Sequence, residues 1–195
     1  SGTAEPLTIS DWEWMLEAFD KAIAERGWSD DPDSYGISTQ YCGYIQTGDL
    51  VSSFGGATGT YYRDKDDKVS FSGTGENFKT YLECMNTWYK NGWMDERFET
   101  RSGDMFFSIN QTGCTQGKVG MWLGTVGTVG QTIRVTCQND EDKEDAYVMG
   151  CALPINDVYG TDDQKYVEPD SLYQDAAGPS GGIGITTKAE GKDLA

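Results

Sequence analysis

The chain has 195 residues, of which 15 are basic and 32 acidic, giving a formal net charge of -17, and it contains no histidine. This length is enough for one sizeable domain whose core needs neither crosslinks nor metals. The negative charge repels nucleic-acid phosphates and anionic lipid surfaces, so binding to either is a poor hypothesis. Without histidine, serine and cysteine nucleophiles lack their usual base, and that class of catalysis is nearly excluded.

The cysteine pattern also argues against a metal site. Five cysteines are scattered without CxxC spacing, and with no histidine they make a poor zinc set. They are Cys42, Cys84, Cys114, Cys137 and Cys151. We expect free, mostly buried thiols, with a bridge between Cys137 and Cys151 across one hairpin as the weaker alternative. The sequence predicts no metal and no cofactor.

The first predicted element is a helix over residues 8–27. Thr8 is placed to cap it, Asp11 to complete a capping box, and Gly27 to end it in the left-handed conformation. Apolar side chains recur along one face of this helix at Ile9, Trp12, Leu16, Phe19 and Ile23.

Short β-elements are predicted next. Residues 35–41, "YGISTQY", alternate and indicate a strand that ends in a polar loop, and the apolar stretch 49–56 leads into a glycine-rich turn. Residues 60–63 and 68–72 have the pattern of a hairpin with the acidic tip 64–67. A calcium loop at this tip is the sharper alternative, but the spacing lacks the glycine and the distal glutamate of an EF-hand.

A second helix is predicted from Asn77 to Gly92, and residues 93–98 are predicted to return from it as a packed segment. Its apolar positions recur every three or four residues at Phe78, Tyr81, Leu82, Met85, Trp88 and Tyr89. We expect such a stripe to be core rather than a ligand platform.

The second half of the chain shows weaker patterns. In order, they are a helical or irregular run before Gly117, a short buried strand "KVGMWLG" at 118–124, two strand-like runs within 131–154, a long irregular loop at 156–180 and a final strand from 181. The glycines of 178–188 do not have the spacing of a phosphate-binding loop, so close packing or a hinge is the better interpretation.

The chemistry that remains is aromatic and amide chemistry, because the chain carries 7 Phe, 11 Tyr and 6 Trp. Flat rings that stack on sugars, beside amides and hydroxyls that bond to them, suit a neutral polyol in a cleft. A pair of carboxylates for glycoside hydrolysis stays open, since nothing in the sequence marks any pair as buried.

Several segments in order resemble one known family. "LTISDWEWMLEAFDKAI" is similar to the helix that opens the second lobe of family 1 extracellular solute-binding proteins of sugar ABC transporters. "DKDDKVSFSGTGENFKTYLECMNTWYKNGWMDERFET" resembles the hairpin and helix that follow, "GKVGMW" a family strand, and "GGIGITTKAEGKDLA" the return to the first lobe. The resemblance covers nearly the whole chain but departs from the family pattern at 124–150 and 156–180.

The resemblance implies a fold and a division of the chain. It implies an α/β, periplasmic-binding-protein-like lobe with several helices around a small mixed sheet. Residues 1–7 would be a tag remnant and hinge-side linker, 8–187 the second lobe of a two-lobed protein, and 188–195 the start of the return helix into the first lobe.

The resemblance also implies a function without catalysis. The parent protein would be a periplasmic or cell-surface lipoprotein that binds a mono- or oligosaccharide between its two lobes and delivers it to ABC permease subunits. A stand-alone carbohydrate-binding or adhesion module is the main alternative, which predicts an all-β sandwich. A glycosidase fragment is a second alternative.

Ligands of open α/β sheets bind beyond the carboxyl ends of the strands. We therefore expect the ligand-binding residues to be Gln40 and Tyr41 after the first strand, with Trp122 and Thr125 at and after the "KVGM" strand. Tyr41 or Trp122 would stack on a sugar, while Gln40 and Thr125 would bond to its hydroxyls. Ordinary loop packing is an equally good interpretation of each residue.

Overall fold

A computed structural model describes residues 5–39, 49–56, 61–63, 68–101, 103–122 and 151–167. Its helices are α1 (Ile9–Glu25), the single turn α2 (Asp49–Ser52), α3 (Glu76–Lys90) and α4 (Gly103–Gln116), and its strands are β1 (Tyr35–Ser38), β2 (Tyr61–Arg63), β3 (Val69–Phe71) and β4 (Val119–Trp122). Short 3-10 turns lie at Ser72–Thr74, Phe98–Thr100 and Asp162–Gln164. The described part of the chain is therefore a mixed helix and sheet structure of the α/β class.

The first helix begins as its sequence predicts. The Thr8 hydroxyl accepts a hydrogen bond from the Asp11 backbone N–H at 3.2 Å, and the Asp11 carboxylate accepts one from the Thr8 N–H at 3.1 Å. This capping box satisfies two backbone donors that a helix start leaves unpaired. Gly27 follows the helix with a φ of 71°, which confirms the predicted stop.

A small parallel sheet lies under α1. β1 and β4 run parallel with Ser38 opposite Trp122, and Met94 forms a parallel bridge to Ile37 on the other side of β1. β1 is thus flanked on both sides, and all four of its residues are buried, as is typical of parallel strands that are covered on both faces.

Two glycines let α1 approach this sheet closely. A Cβ at Gly120 would collide with the Phe19 ring, and a Cβ at Gly36 would come within 2.9 Å of Leu16 Cδ2. Because both positions lack a side chain, the Leu16 and Phe19 side chains lie directly on the backbone of β1 and β4.

The core between α1, α2 and α3 contains most of the predicted helix rings. Trp12, Tyr81 and Trp88 are buried, and Phe19 is half-buried against Gly120. The prediction is wrong for two residues of the α3 stripe, since Leu82 is 48% and Tyr89 46% exposed. The apolar stripe is wider than the surface that α3 buries, so its margin stays in solvent.

Other predictions have mixed outcomes. β2 and β3 form the predicted antiparallel hairpin, with Arg63 opposite Val69. The run that was predicted to be helical or irregular is the helix α4, which ends before Gly117, whose φ is 72°. Cys84, Cys114 and Cys151 carry free thiols, as expected, while Cys137, the other half of the alternative bridge to Cys151, lies outside the described residues. The hairpin tip at 64–67 and most of 131–154 lie outside the described residues. In the described part, no helix has the length and apolarity that crossing a bilayer requires.

Candidate functional site

The parallel pairing of β1 and β4 brings to one edge the ends of the two strands that the predicted ligand residues occupy or follow. The carboxyl ends of parallel strands meet at the same edge of a sheet, and here Ser38 and Trp122 are the paired last residues of the two strands. Gln40 and Tyr41, which follow β1, and Thr125, which follows β4, lie outside the described residues. We call this edge the carboxyl edge; Ser38 and Trp122 end its two strands, and Asp95 follows the bridge residue Met94.

Trp122 at this edge is half-buried. Burial raises the pKa of the Cys114 thiol to about 11, and a hydrogen bond from the Trp122 side chain opposes that rise by stabilising the thiolate. The π-face of the indole is the part of the ring that stacks on a sugar.

Beside Trp122, the carboxyl edge holds a cluster of charged and polar side chains that the sequence did not predict, and all but Asp33 are buried. We call Asp33, Ser38, Asp95 and Arg101 the charged cluster. Within it, Asp95 is 2% and Arg101 4% exposed, and Arg101 Nε donates to Asp95 Oδ2 at 2.5 Å.

Asp95 accepts hydrogen bonds on both carboxylate oxygens. Oδ2 also accepts from Ser38 Oγ at 3.0 Å, while Oδ1 accepts from the Arg97 backbone N–H at 3.0 Å and from Arg101 Nη2 at 3.3 Å. A buried carboxylate surrounded in this way holds its neighbours in place rather than reacting. The last residue of β1 is thereby fixed to the segment that returns from α3.

The guanidinium of Arg101 is equally well partnered. Its Nη2 donates to the Pro32 carbonyl and to Asp33 Oδ1, both at 3.0 Å, and its carbon lies 5.5 Å from the centre of the Tyr35 ring. Burial by itself would lower the pKa of Arg101, but the hydrogen bonds and charges of Asp95 and Asp33 raise it. Arg101 is therefore a permanent cation under the sheet.

The Tyr35 hydroxyl is not placed to act as a base at neutral pH. Burial, and then the negative charge of Asp95, raise its pKa well above the usual value of 10.0. The hydroxyl donates a hydrogen bond to Asn110 Oδ1 of α4 at 3.2 Å, and Asn110 is completely buried. A neutral, bonded phenol in this position connects β1 to α4.

A second buried polar network lies in residues 154–167, which we call the strap. The strap joins the sheet region through Ile155, whose N–H donates to the Leu7 carbonyl at 2.8 Å and whose carbonyl accepts from the Ile9 N–H at 2.9 Å. The Tyr159 hydroxyl donates to Glu13 Oε1 at 2.5 Å, and the same oxygen accepts from Trp88 Nε1 at 2.9 Å. Residues 156–167, the described part of the predicted loop 156–180, therefore form part of the core wall, and residues 168–180 lie outside the described residues.

Two amides organise the inside of the strap. Asn156 Nδ2 donates to the carbonyls of Tyr159 and Gln164, both at 2.9 Å. Gln164 Nε2 donates to Thr80 Oγ1 at 2.9 Å and to Asn77 Oδ1 at 3.1 Å, which fastens the strap to α3. Neither amide has a sequence signal that distinguishes it from a surface loop residue, and composition alone suggested a loop.

Among all the described residues, no three Cys, Asp or Glu side chains are grouped as metal ligands, so this part of the protein offers no candidate metal site.

The chain matches no protein-family model, no curated protein and no solved structure. The resemblance to family 1 solute-binding proteins therefore stays a prediction that rests on the quoted sequence segments.

Proposed function

We propose that this chain is the ligand-binding lobe of an extracellular carbohydrate-binding protein that delivers sugar to an ABC importer and performs no catalysis. In this proposal the lobe belongs to a periplasmic or lipid-anchored parent and closes with a first lobe around a mono- or oligosaccharide. The ligand would contact Gln40, Tyr41, Trp122 and Thr125.

One observation carries the proposal: β1 and β4 are parallel neighbours whose carboxyl ends meet with Trp122 at the edge. Open parallel sheets bind ligands beyond that edge, and loops that leave it are the usual source of polar contacts. An aromatic side chain there supplies the flat surface that a pyranose ring stacks on. The three predicted polar and aromatic partners follow the same two strands in sequence.

The charged cluster supports the same site. It fixes Ser38, the last residue of β1, through the hydrogen bond from Ser38 Oγ to Asp95, and it does so with groups buried beneath the edge. A rigid support under a binding edge reduces the ordering cost of binding. We infer that the cluster has this supporting role and makes no direct contact with ligand.

The two alternatives receive less support. A carbohydrate-binding sandwich would be all-β, whereas the described residues contain three helices of 17, 15 and 14 residues and only short strands. A glycosidase fragment would need two carboxylates that face one cleft, and at the carboxyl edge Asp95 is already occupied by Ser38, Arg97 and Arg101.

The test is a thermal-shift screen of the two-lobed parent against mono- and oligosaccharides, with the 195-residue chain measured alongside. A ligand that binds only the folded state raises its melting temperature. We expect a sugar to shift the parent clearly and the single lobe little, because half a cleft supplies about half the contacts and at best roughly millimolar affinity.

Paired variants make this screen specific. Trp122→Ala should remove the sugar-induced shift of the parent, because it deletes the stacking ring. Trp14→Ala, at a 70% exposed tryptophan of α1, is the matched control and should leave that shift unchanged. If no sugar shifts the parent, the ligand class is wrong and the function moves towards peptides, other solutes or adhesion.

A further inference from the structure

The outer surface of α1 carries an aromatic side chain that the core does not use. Trp14 is 70% exposed, although the other tryptophan of this helix, Trp12, is 3% exposed. Exposed apolar side chains occur singly on most proteins, but an exposed tryptophan within an apolar group marks an interaction surface. Leu7, at 44%, and Val158, at 39%, are also exposed.

Hydrogen bonds and helix spacing place these three apolar residues near the N-terminal end of α1. Leu7 donates its N–H to Asp11 Oδ2 at 3.0 Å, and Asp157, next to Val158, accepts from the Ser10 N–H at 3.0 Å. Trp14 stands four residues after Ser10 and three after Asp11, and residues at these spacings are neighbours on a helix surface. Leu7, Trp14 and Val158 therefore border the same small area.

Carboxylates surround this area. Asp11 and Asp157 lie on one side of Trp14, and Glu17, three residues further along α1, lies on the other. The Glu17 side chain is 57% exposed, and its contact with Lys21 is 4.0 Å long and exposed to solvent, so it is weak. Hydrogen bonds to the backbone of Leu7 and to Thr8 lower the pKa of Asp11, which keeps that group ionised at neutral pH. We call Leu7, Asp11, Trp14, Glu17, Asp157 and Val158 the Trp14 surface.

The same protein shows which group suits an indole beside carboxylates. The Trp28 ring lies 5.6 Å from the Arg26 guanidinium carbon and 5.7 Å from Lys118 Nζ. Lys118 in turn bonds to Asp31 at 2.7 Å, so indole, cation and carboxylate form one unit. At Trp14 the indole and the carboxylates are present, and within the described residues no lysine or arginine stands over the ring.

We propose that the Trp14 surface docks a protein segment that carries arginine next to an apolar residue. A guanidinium can stack on the indole face while its N–H groups donate to Glu17 or Asp11, and the apolar neighbour would cover Leu7 and Val158. The net charge of -17 assists the encounter with a cationic partner. This inference does not depend on the proposed sugar-binding function.

A short peptide tests the surface directly. The probe is an acetylated, amidated pentapeptide of sequence ARLRA, titrated into the 195-residue chain and followed by the indole N–H resonances of its six tryptophans. The Trp14→Ala variant identifies the Trp14 resonance by its disappearance. We expect this resonance to shift saturably with the probe and to shift less with the lysine and glutamate versions of the peptide.

Affinity measurements on variants decide the outcome. Trp14→Ala leaves the net charge unchanged, so a loss of about fivefold or more in peptide affinity would come from the ring and not from general attraction. The matched control is Leu82→Ala, which removes a 48% exposed apolar side chain from α3 and should change the affinity less than about twofold. Trp122→Ala should also leave peptide binding unchanged, which separates this site from the carboxyl edge.

Three results would overturn the proposal. The first is equal peptide affinity of the wild type and Trp14→Ala, which would mean that the acidic surface attracts the peptide without this ring. The second is that glucose or maltose shifts the Trp14 resonance while the arginine peptide does not, because the ring would then be a sugar platform. The third is an equal response to the arginine and glutamate peptides, since it would exclude recognition of the cation.

Discussion

At the carboxyl edge, the protein buries polar side chains as charges, with Asp95 and Arg101 2% and 4% exposed. In the strap it buries them as neutral amides, with Asn156 and Gln164 0% and 8% exposed. Both networks are well bonded, but their chemistry differs. The central contact of the charged cluster joins two oppositely charged side chains, whereas the Asn156 side chain bonds to backbone groups of the strap.

This difference predicts which network is more sensitive to the loss of one of its side chains. A buried ion has lost its hydration, and only its partners compensate for that loss, so removing one partner exposes the other to the full penalty. A buried amide loses less hydration than a buried ion. When such an amide is substituted, water can reach the backbone groups that it had bonded once the loop relaxes. We therefore expect the carboxyl edge to depend on its cluster more strongly than the strap depends on its amides.

The largest expected effect is that of Asp95→Ala. The change leaves the Arg101 cation buried with only its Asp33 and Pro32 partners and leaves Ser38 Oγ without its acceptor. We expect the free energy of unfolding to fall by about 3 to 5 kcal/mol, measured by urea denaturation.

The double variant Asp95→Ala with Arg101→Met is the control, because it removes both charges and should recover part of this loss. If Asp95→Ala alone lowers the free energy of unfolding by less than about 1 kcal/mol, the buried pair is not the critical contact of the edge.

A smaller effect is expected for Asn156→Ala in the strap. The Asn156 side chain donates to two carbonyls and accepts from the N–H groups of Val158 and Tyr159. Losing these bonds should lower the free energy of unfolding by about 2 to 3 kcal/mol. Asn86→Ala, at an exposed position of α3, should stay within about 0.5 kcal/mol of the wild type. If Asn156→Ala costs more than Asp95→Ala, the ranking of the two networks is wrong.

The smallest effect concerns Asp11, where a charge helps to attach the strap. Its carboxylate accepts from the backbone of Leu7, and the Leu7 carbonyl in turn pairs with Ile155 of the strap. Hydrogen bonding from Leu7 is the main cause that lowers the pKa of Asp11 below its usual 3.8. A lowered pKa stabilises the fold above the unfolded value, and this stability is lost as the pH falls through the folded value.

We therefore expect Asp11→Asn to melt below the wild type at neutral pH, and the difference to shrink as the pH falls below 3.8. Melting temperatures measured across that range in low salt provide the test. A difference that is the same at acid and neutral pH would show that the charge of Asp11 contributes nothing to the attachment.

The sequence predicted the local elements well. Signals that lie within a few residues of each element account for the start and end of α1, the end of α3, the hairpin of β2 and β3 and the strand β4. Examples are the capping box of Thr8 and the positive φ of Gly27 and Gly92. Among the predicted ligand residues, Trp122 lies at the expected strand end. Such signals are readable because they act between residues that are near in the chain.

What the sequence by itself determined, then, is the type and approximate extent of α1, of α3 and of the hairpin, an acidic composition and the absence of histidine chemistry. Only the tertiary structure decided that Asp95 pairs with Arg101 under β1, that Asn156 and Gln164 turn a loop-like sequence into the strap, and that Leu82 and Tyr89 remain in solvent. The physical reason is that burial is a property of packing between distant segments. The same carboxylate, amide or leucine is equally compatible with a surface and with an interior until its neighbours are in place.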